Sequence, residues 1–203
     1  MKPVDSAHAP AGTSGHVALD FLNTGAGPRK PDDLSAPGAA LAWMTAAALL
    51  DEQDLEALGR RPRDELIRTE AELRRLRDGV RGVLETVRPD GWAAALAGSR
   101  DFDRWLEGDD SRVFSEAPGG RFVARRRPRW RTAAPLLAVV AGTVLDLLAT
   151  ASPGRIRACA APDCVQFFLD RTAANRRRWC SMQQCGNRAK VADLRLRRAA
   201  AGR

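Results

Sequence analysis

"RRRWCSMQQCGNRAK", Arg176 to Lys190, places two cysteines and five cationic side chains within fifteen residues. Cys159 and Cys164 lie just upstream, and the first 158 residues hold no cysteine. The full pattern is C-x4-C-x15-C-x4-C: two pairs bridged by about fifteen residues, which suits a tetrahedral zinc site with one knuckle per pair. In a compartment that keeps thiols reduced, disulfides are the weaker explanation. Cys159, Cys164, Cys180 and Cys185 are therefore the candidate metal ligands. Four thiolates leave no open coordination position, so the expected ion is one structural zinc rather than a hydrolytic one. The cations beside them, Arg176, Arg177, Arg178 and Arg188, have two possible tasks. They stabilise an anionic metal centre, or they hold an anionic partner.

The charge distribution bears on that choice. From Arg155 to the end there are twelve Arg or Lys against three Asp, while residues 1–154 carry 21 basic and 22 acidic residues. The whole net charge of +8 thus lies in the last quarter of the chain. Such asymmetry points first to nucleic acid and second to a membrane surface. The membrane is disfavoured. The opening "MKPVDSAHAPAGTSG" lacks the apolar run of a signal peptide. The best candidate span, Thr132–Ala151, contains Pro135, Gly142 and Asp146 and reads better as a buried helix. The expectation is a cytoplasmic protein, nucleoid-associated if it binds DNA.

Upstream, the pattern is mainly α. Residues 1–15 read as disordered, and "HVALDFLNT", 16–24, as a strand or the start of a helix. Helices are expected over 39–50, 51–58, 62–87, 91–107 and 130–150. The clearest is 62–87, where Leu66, Leu73, Leu76, Val80, Val83, Leu84 and Val87 fall on one stripe. Glu70 and Arg74 stand at i, i+4 spacing. "SRVFSEAPGGRFVARR" reads as a β-hairpin around Pro118-Gly119-Gly120. Its basic run, 121–131, is either a solvated edge or an extension of a nucleic-acid surface. Near the C-terminus, "RIRAC" and "VQFFLD" suggest two short strands. Ser181 and Gln184 mark a helix start, with Ala189, Ala192 and Leu196 expected to face inward and a basic outer surface. The predicted architecture is a helical N-terminal domain with a short hairpin (16–154), followed by a small four-cysteine zinc finger of knuckle, short strands and helix (155–203).

These residues carry a resemblance. "RRWCSMQQCGNRAK" resembles the CGNR zinc finger, named for Cys185-Gly186-Asn187-Arg188, and "CAAPDC" and "FFLD" fit it too. "LDFLNT", Leu19–Thr24, resembles the opening of the ABATE domain that precedes this finger, and "PDDL…ALAWM" matches a later stretch of it. The resemblance implies a stress-induced transcription regulator.

Three functions compete on this basis. The first is DNA binding in transcriptional control, with Arg176, Arg177, Arg178, Arg188, Lys190, Arg195 and Arg198 as phosphate contacts. So small a reading head implies a homodimer or a protein partner. The second is a protein-interaction or RNA-binding module in which the finger is a structural staple. Trp179, Phe167 or Phe168 would then stack on bases if exposed. The third is a small-molecule sensing pocket near Asp20 and Asn23, whose alternative role is capping or holding a junction. Asn187 likewise is either a partner contact or bonded to the knuckle backbone. There is no phosphate loop, no nucleophile with an evident base and no paired-carboxylate signature, so no enzymatic activity is expected.

Overall fold

The C-terminal segment does not stand apart from the helical one, because the two share a hydrophobic core. The structure, a computed structural model, describes residues 14–201 except 26, 29, 88–90, 98–99, 108–109 and 118–120. The disorder expected for the first fifteen residues concerns 1–13, which lie outside the described residues. Ser14 and Gly15 differ from it. The Ser14 carbonyl accepts from Leu169 N–H at 2.7 Å, and Arg171 donates to the Gly15 carbonyl at 2.6 Å.

The elements run α1 (Val17–Leu22), α2 (Ala39–Ala46), α3 (Glu52–Gly59), α4 (Arg63–Thr86), α5 (Trp92–Ala97), α6 (Arg100–Leu106), β1 (Asp110–Ala117), β2 (Arg121–Pro128), α7 (Pro135–Thr150), β3 (Ile156–Ala158), β4 (Phe167–Leu169) and α8 (Asn187–Ala201). The mainly α class is as expected. "HVALDFLNT" resolves as a helix: His16 caps α1, its Nδ1 accepting from Ala18 N–H at 3.2 Å. A ring nitrogen here satisfies one of the donors that a helix start leaves open. Asp51 does the same for α3, in a reciprocal capping box with Asp54.

α4 buries Leu73, Leu76, Val80 and Leu84, the stripe read from the sequence, against α1 and α7. The expected Glu70–Arg74 pair does not form. Glu70 instead accepts from Gly38 N–H at 3.0 Å, and Arg74 donates to the Leu34 carbonyl at 2.9 Å. Both side chains are drawn to backbone groups of the 31–38 loop, which a tertiary contact places closer than the next helical turn. The loop is further fixed by Asp32, which accepts both terminal nitrogens of buried Arg77, at 2.7 and 2.6 Å.

Two helix boundaries differ from expectation. The single helix expected over 91–107 is described as two stretches, α5 and α6, and residues 98–99 between them lie outside the described residues. The helix expected from Trp130 begins at Pro135, where proline fits the first turn because it needs no N–H partner. Trp130 instead donates from Nε1 to Asp54 Oδ1 at 2.8 Å. β1 and β2 pair antiparallel, with Ala117 opposite Arg121. Their turn, 118–120, lies outside the described residues. No helix among the described residues is long and apolar enough to cross a membrane.

The main core gathers Leu19, Phe21 and Leu22 of α1, Leu136, Val140 and Leu147 of α7, and also Ile156, Phe167 and Leu169 of β3 and β4. A residue boundary at 154 therefore cuts through a continuous apolar cluster.

Candidate metal centre and the basic helix beside it

The antiparallel pair β3–β4 brings the first two cysteines to one place. Ile156 opposes Leu169 and Ala158 opposes Phe167, so the chain leaves β3 at Cys159 and turns back through Cys164. Cys159 N–H donates to the Gln166 carbonyl at 2.8 Å, and Cys164 N–H to the Ala161 carbonyl at 3.0 Å. The second pair comes from the opposite side. Ser181 caps a π-helical turn, Met182–Gly186, its hydroxyl accepting from Gln184 N–H at 3.2 Å, and this turn runs into α8. Cys185 is thereby carried inward on the first turn, as the Ser181 reading anticipated.

All four Sγ atoms lie within 4.8 Å of one another. Cys180 Sγ is 3.7 Å from Cys164 Sγ and 3.6 Å from Cys185 Sγ. A disulfide would need about 2.05 Å. Four sulfurs tetrahedrally around zinc at about 2.3 Å would stand about 3.8 Å apart. The donor set, its softness and its spacing all fit one structural zinc ion, held by Cys159, Cys164, Cys180 and Cys185. Zinc would supply the cross-link that a cluster this small cannot obtain from apolar burial alone.

The electrostatics agree. Burial pushes the Cys164 thiol up to about 11. Burial and the neighbouring Cys185 thiol push Cys180 higher still. Cys159 differs: against its burial, N–H groups of Ala161 and Cys180 hold it below the ordinary thiol value. Buried thiols this close resist ionising together, and a divalent cation is what offsets that cost. Sulfur also accepts from outside the cluster. Cys180 N–H reaches Cys159 Sγ at 3.4 Å, and the Arg188 guanidinium reaches Cys185 Sγ at 3.2 Å.

Around the thiols packs a second, smaller apolar cluster with Phe168, which is fully buried, Ala161 and half-buried Trp179. Phe167 is buried in the main core. Neither phenylalanine is available to stack on a base, which corrects that expectation. Their rings carry cations: Arg81 lies 5.2 Å from the Phe167 centroid and Arg177 lies 4.5 Å from that of Phe168. A Cβ at Gly186 would touch Trp179 at 3.4 Å and displace the Met182 side chain, whose Sδ would lie 2.5 Å away.

The seven cationic candidates separate into groups. Arg177 is committed to the fold. Besides covering Phe168, it donates to the carbonyls of Trp179 (2.9 Å) and Cys180, which corrects its assignment as a phosphate contact. Arg188 is exposed, with one nitrogen on Cys185. Arg178 stacks on Trp179 at 5.1 Å while remaining exposed. Arg176, Lys190, Arg195 and Arg198 are exposed.

α8 itself departs from the amphipathic expectation. Ala192 is exposed, Ala189 is only half-buried, and the side chain of Leu196 lies outside the described residues. Val191 and Leu194 are 47% and 48% exposed. Among the described residues this stretch of the helix looks onto a groove rather than a packed core, with Val191, Ala192 and Arg195 in its lining. Between this helix and the first knuckle opens a groove of about 500 Å³, lined by Asp163, Gln183, Gln184, Asn187, Arg188 and Arg195 among others. Asn187 faces this groove and is exposed.

Of the two roles weighed for Asn23, the bonds to β4 fit the holding of a junction. Asn23 Nδ2 donates to the Phe167 carbonyl and Asn23 Oδ1 accepts from Phe167 N–H, both at 2.8 Å. Its amide is consumed in joining α1 to β4. Asp20 lies half-buried in the first turn of α1.

Sequence reasoning assigned no task to Asp170, the acid of "FFLD". Its carboxylate accepts from Thr172 Oγ1 (2.6 Å), Thr172 N–H (2.9 Å) and Arg177 N–H (2.8 Å), and so shapes the approach to Cys180. The Thr172 hydroxyl, against the effect of burial, holds this carboxyl below the usual range. The signal was available as an Asp with Thr two residues on, a local side-chain turn.

With this geometry in place, the family follows from two matches. Residues 155–198 match the CGNR zinc finger, and residues 15–151 match ABATE, described as "Putative stress-induced transcription regulator". The chain belongs to the ABATE family. Comparison with curated proteins finds no match. The ABATE match spans α1 to α7, and the CGNR match takes in all four cysteines, β3, β4 and most of α8.

Proposed function

We propose that this ABATE–CGNR chain is a zinc-dependent DNA-binding regulator of transcription, with α8 as its reading element. The observation that carries the reading is the exposure of α8. Asn187, Arg188, Lys190 to Arg195, Arg197 and Arg198 are all solvent-exposed on a helix anchored at one end by the metal cluster. Fifteen residues give a rod about 22 Å long, and a B-DNA major groove about 12 Å wide admits such a helix. Arg176, Lys190, Arg195 and Arg198 supply phosphate contacts, and Gln183, Gln184 and Asn187 line the adjoining groove as amides suited to adenine edges. The family description supports the regulatory role and the stress context. So short a reading head acts as a dimer or with a partner subunit, on DNA in the cytoplasm.

A salt-titrated binding assay on duplex DNA tests this. If five or six phosphates are neutralised, the log–log slope is about −5. Arg195→Ala and Arg198→Ala weaken binding and each reduce that slope by about one, while chelation abolishes binding. A second reading rests on the shared core: the zinc cluster staples the chain end to the helical body, and α8 meets a protein or RNA. Metal-loaded protein that shows no binding to duplex DNA at low salt would favour it.

A further inference from the structure

The four cysteines of the metal centre differ in access and in what they anchor. Cys159, Cys180 and Cys185 are 8%, 3% and 3% exposed, whereas Cys164 alone of the four is only half-buried. With zinc bound all four are thiolates, so the thiolate fraction does not separate them and access does. Cys164 belongs to the first knuckle. Cys180, whose Sγ lies 3.7 Å away, stands across from it, one residue ahead of the Ser181 cap. Cys180 and Cys185 are as close, at 3.6 Å, but both are buried, so an oxidant from solution does not arrive there first. Cys185 is the ligand that ties the turn at the start of α8 to the cluster.

We propose that Cys164 is an oxidation site for a peroxide, and that Cys180 resolves it to a disulfide across the two knuckles. The Cys164 thiolate attacks one peroxide oxygen, the O–O bond breaks, and a sulfenic acid and hydroxide result. The Cys180 thiolate then attacks the sulfenic sulfur, the S–S bond forms, and a second hydroxide leaves. Two protons from solvent turn both hydroxides into water, and the two electrons lost by sulfur reduce the peroxide. The sulfurs close from 3.7 Å to about 2.05 Å. Cys159 and Cys185 alone are too few donors to hold the ion. The bridge keeps the chain ahead of Ser181 tied to the first knuckle, while Cys185 and the start of α8 come free. A reducing compartment reverses the step, as for other transient disulfides.

Hydrogen peroxide at about tenfold excess, added to the full zinc-loaded chain, tests this with a chromogenic chelator, peptide mapping and amide exchange. Zinc release is expected, with a linked peptide joining Cys164 to Cys180, faster exchange over residues 185–195, and recovery on adding dithiothreitol and zinc. Trapping with dimedone should mark Cys164. Cys164→Asp, which keeps an anionic ligand, should release zinc at least about tenfold more slowly. If that variant holds no zinc, the map of the wild type still decides. Zinc retained under peroxide, a Cys180–Cys185 bridge as the main product, or unchanged exchange in α8 would each overturn the proposal while leaving the metal site in place. A chain that carries no zinc at the outset would end both assignments together.

Discussion

Asn23 and Phe167, 144 residues apart, exchange two hydrogen bonds of 2.8 Å between one side-chain amide and the backbone N–H and carbonyl of one residue. The amide acts as an extra strand residue for β4 and closes α1 onto the zinc-bearing segment. Arg81 reinforces the junction by donating to the carbonyls of Leu22 (3.0 Å) and Val165 (2.9 Å). Two family motifs, one at each end of the chain, are thus one piece of structure.

Asn23→Ala leaves the Phe167 N–H and carbonyl without these partners, and is expected to cost about 2 kcal/mol of stability. Asn23→Asp should cost at least as much, since it keeps the acceptor but sets a carboxylate oxygen against the Phe167 carbonyl. Urea midpoints of the two variants check this. An unchanged midpoint in both would mean that solvent replaces the clamp without penalty.

Metal removal should be felt far from the metal. Ile156, Phe167 and Leu169 belong to the main core, so loosening β3–β4 uncovers α1 and α7. Chelation, or Cys185→Ser, is expected to lower the melting midpoint of the whole chain in one transition, rather than release a separate finger. Calorimetry with and without chelator distinguishes the two. Because each ligand must lose its proton to bind, zinc affinity should fall steadily as pH is lowered.

The cysteine spacing and the Ser181 cap were legible because the metal cluster and the helix start are built from neighbours in sequence. The α4 stripe was legible because Leu73, Leu76 and Val80 repeat with the helix. Asn23 was not, since its partners are the backbone N–H and carbonyl of a residue on a distant strand, which leave no pattern in residue types. Arg177 looked like its exposed neighbours for the same reason: carbonyl acceptors are invisible in a sequence. Ala192 was misplaced because an amphipathic pattern presumes a body packed against the helix, and here that residue borders a groove instead.

Arg177 and Arg195 offer a direct contrast. Arg177→Ala removes the cover of Phe168 and the donors to Trp179 and Cys180, and is expected to cost about 2–3 kcal/mol and to loosen zinc. Arg195→Ala, on the exposed helix, should change stability by less than about 0.5 kcal/mol. Chemical denaturation with a zinc-release readout separates them. Equal stability of the two variants would contradict the structural assignment of Arg177.

His16 sets the last expectation, a loss of stability in mild acid. Its Nδ1 accepts from Ala18 N–H, so the proton sits on Nε2, which faces Asp146 Oδ2 at 3.3 Å. Burial lowers its pKa below 6.5; Asp146 opposes this through its hydrogen bond and charge, and Arg171 adds to the lowering. A histidine with a depressed folded pKa contributes stability fully above the unfolded value. That contribution is lost as pH falls from about 6.5 through the folded value. Protonation on Nδ1 also replaces the acceptor with a donor and removes the α1 cap. Asp32 and Asp170 have carboxyls held below their usual range, by Arg77 and by Thr172, so their contributions disappear only below about pH 4. The two windows do not overlap. Denaturant midpoints should therefore drop between pH 7 and about pH 5 in the wild type. His16→Asn, which retains a capping acceptor without a proton to gain, should make that drop shallower, leaving the part that comes from weaker zinc binding. A wild-type midpoint that stays level across this interval would remove His16 from any acid response of the fold.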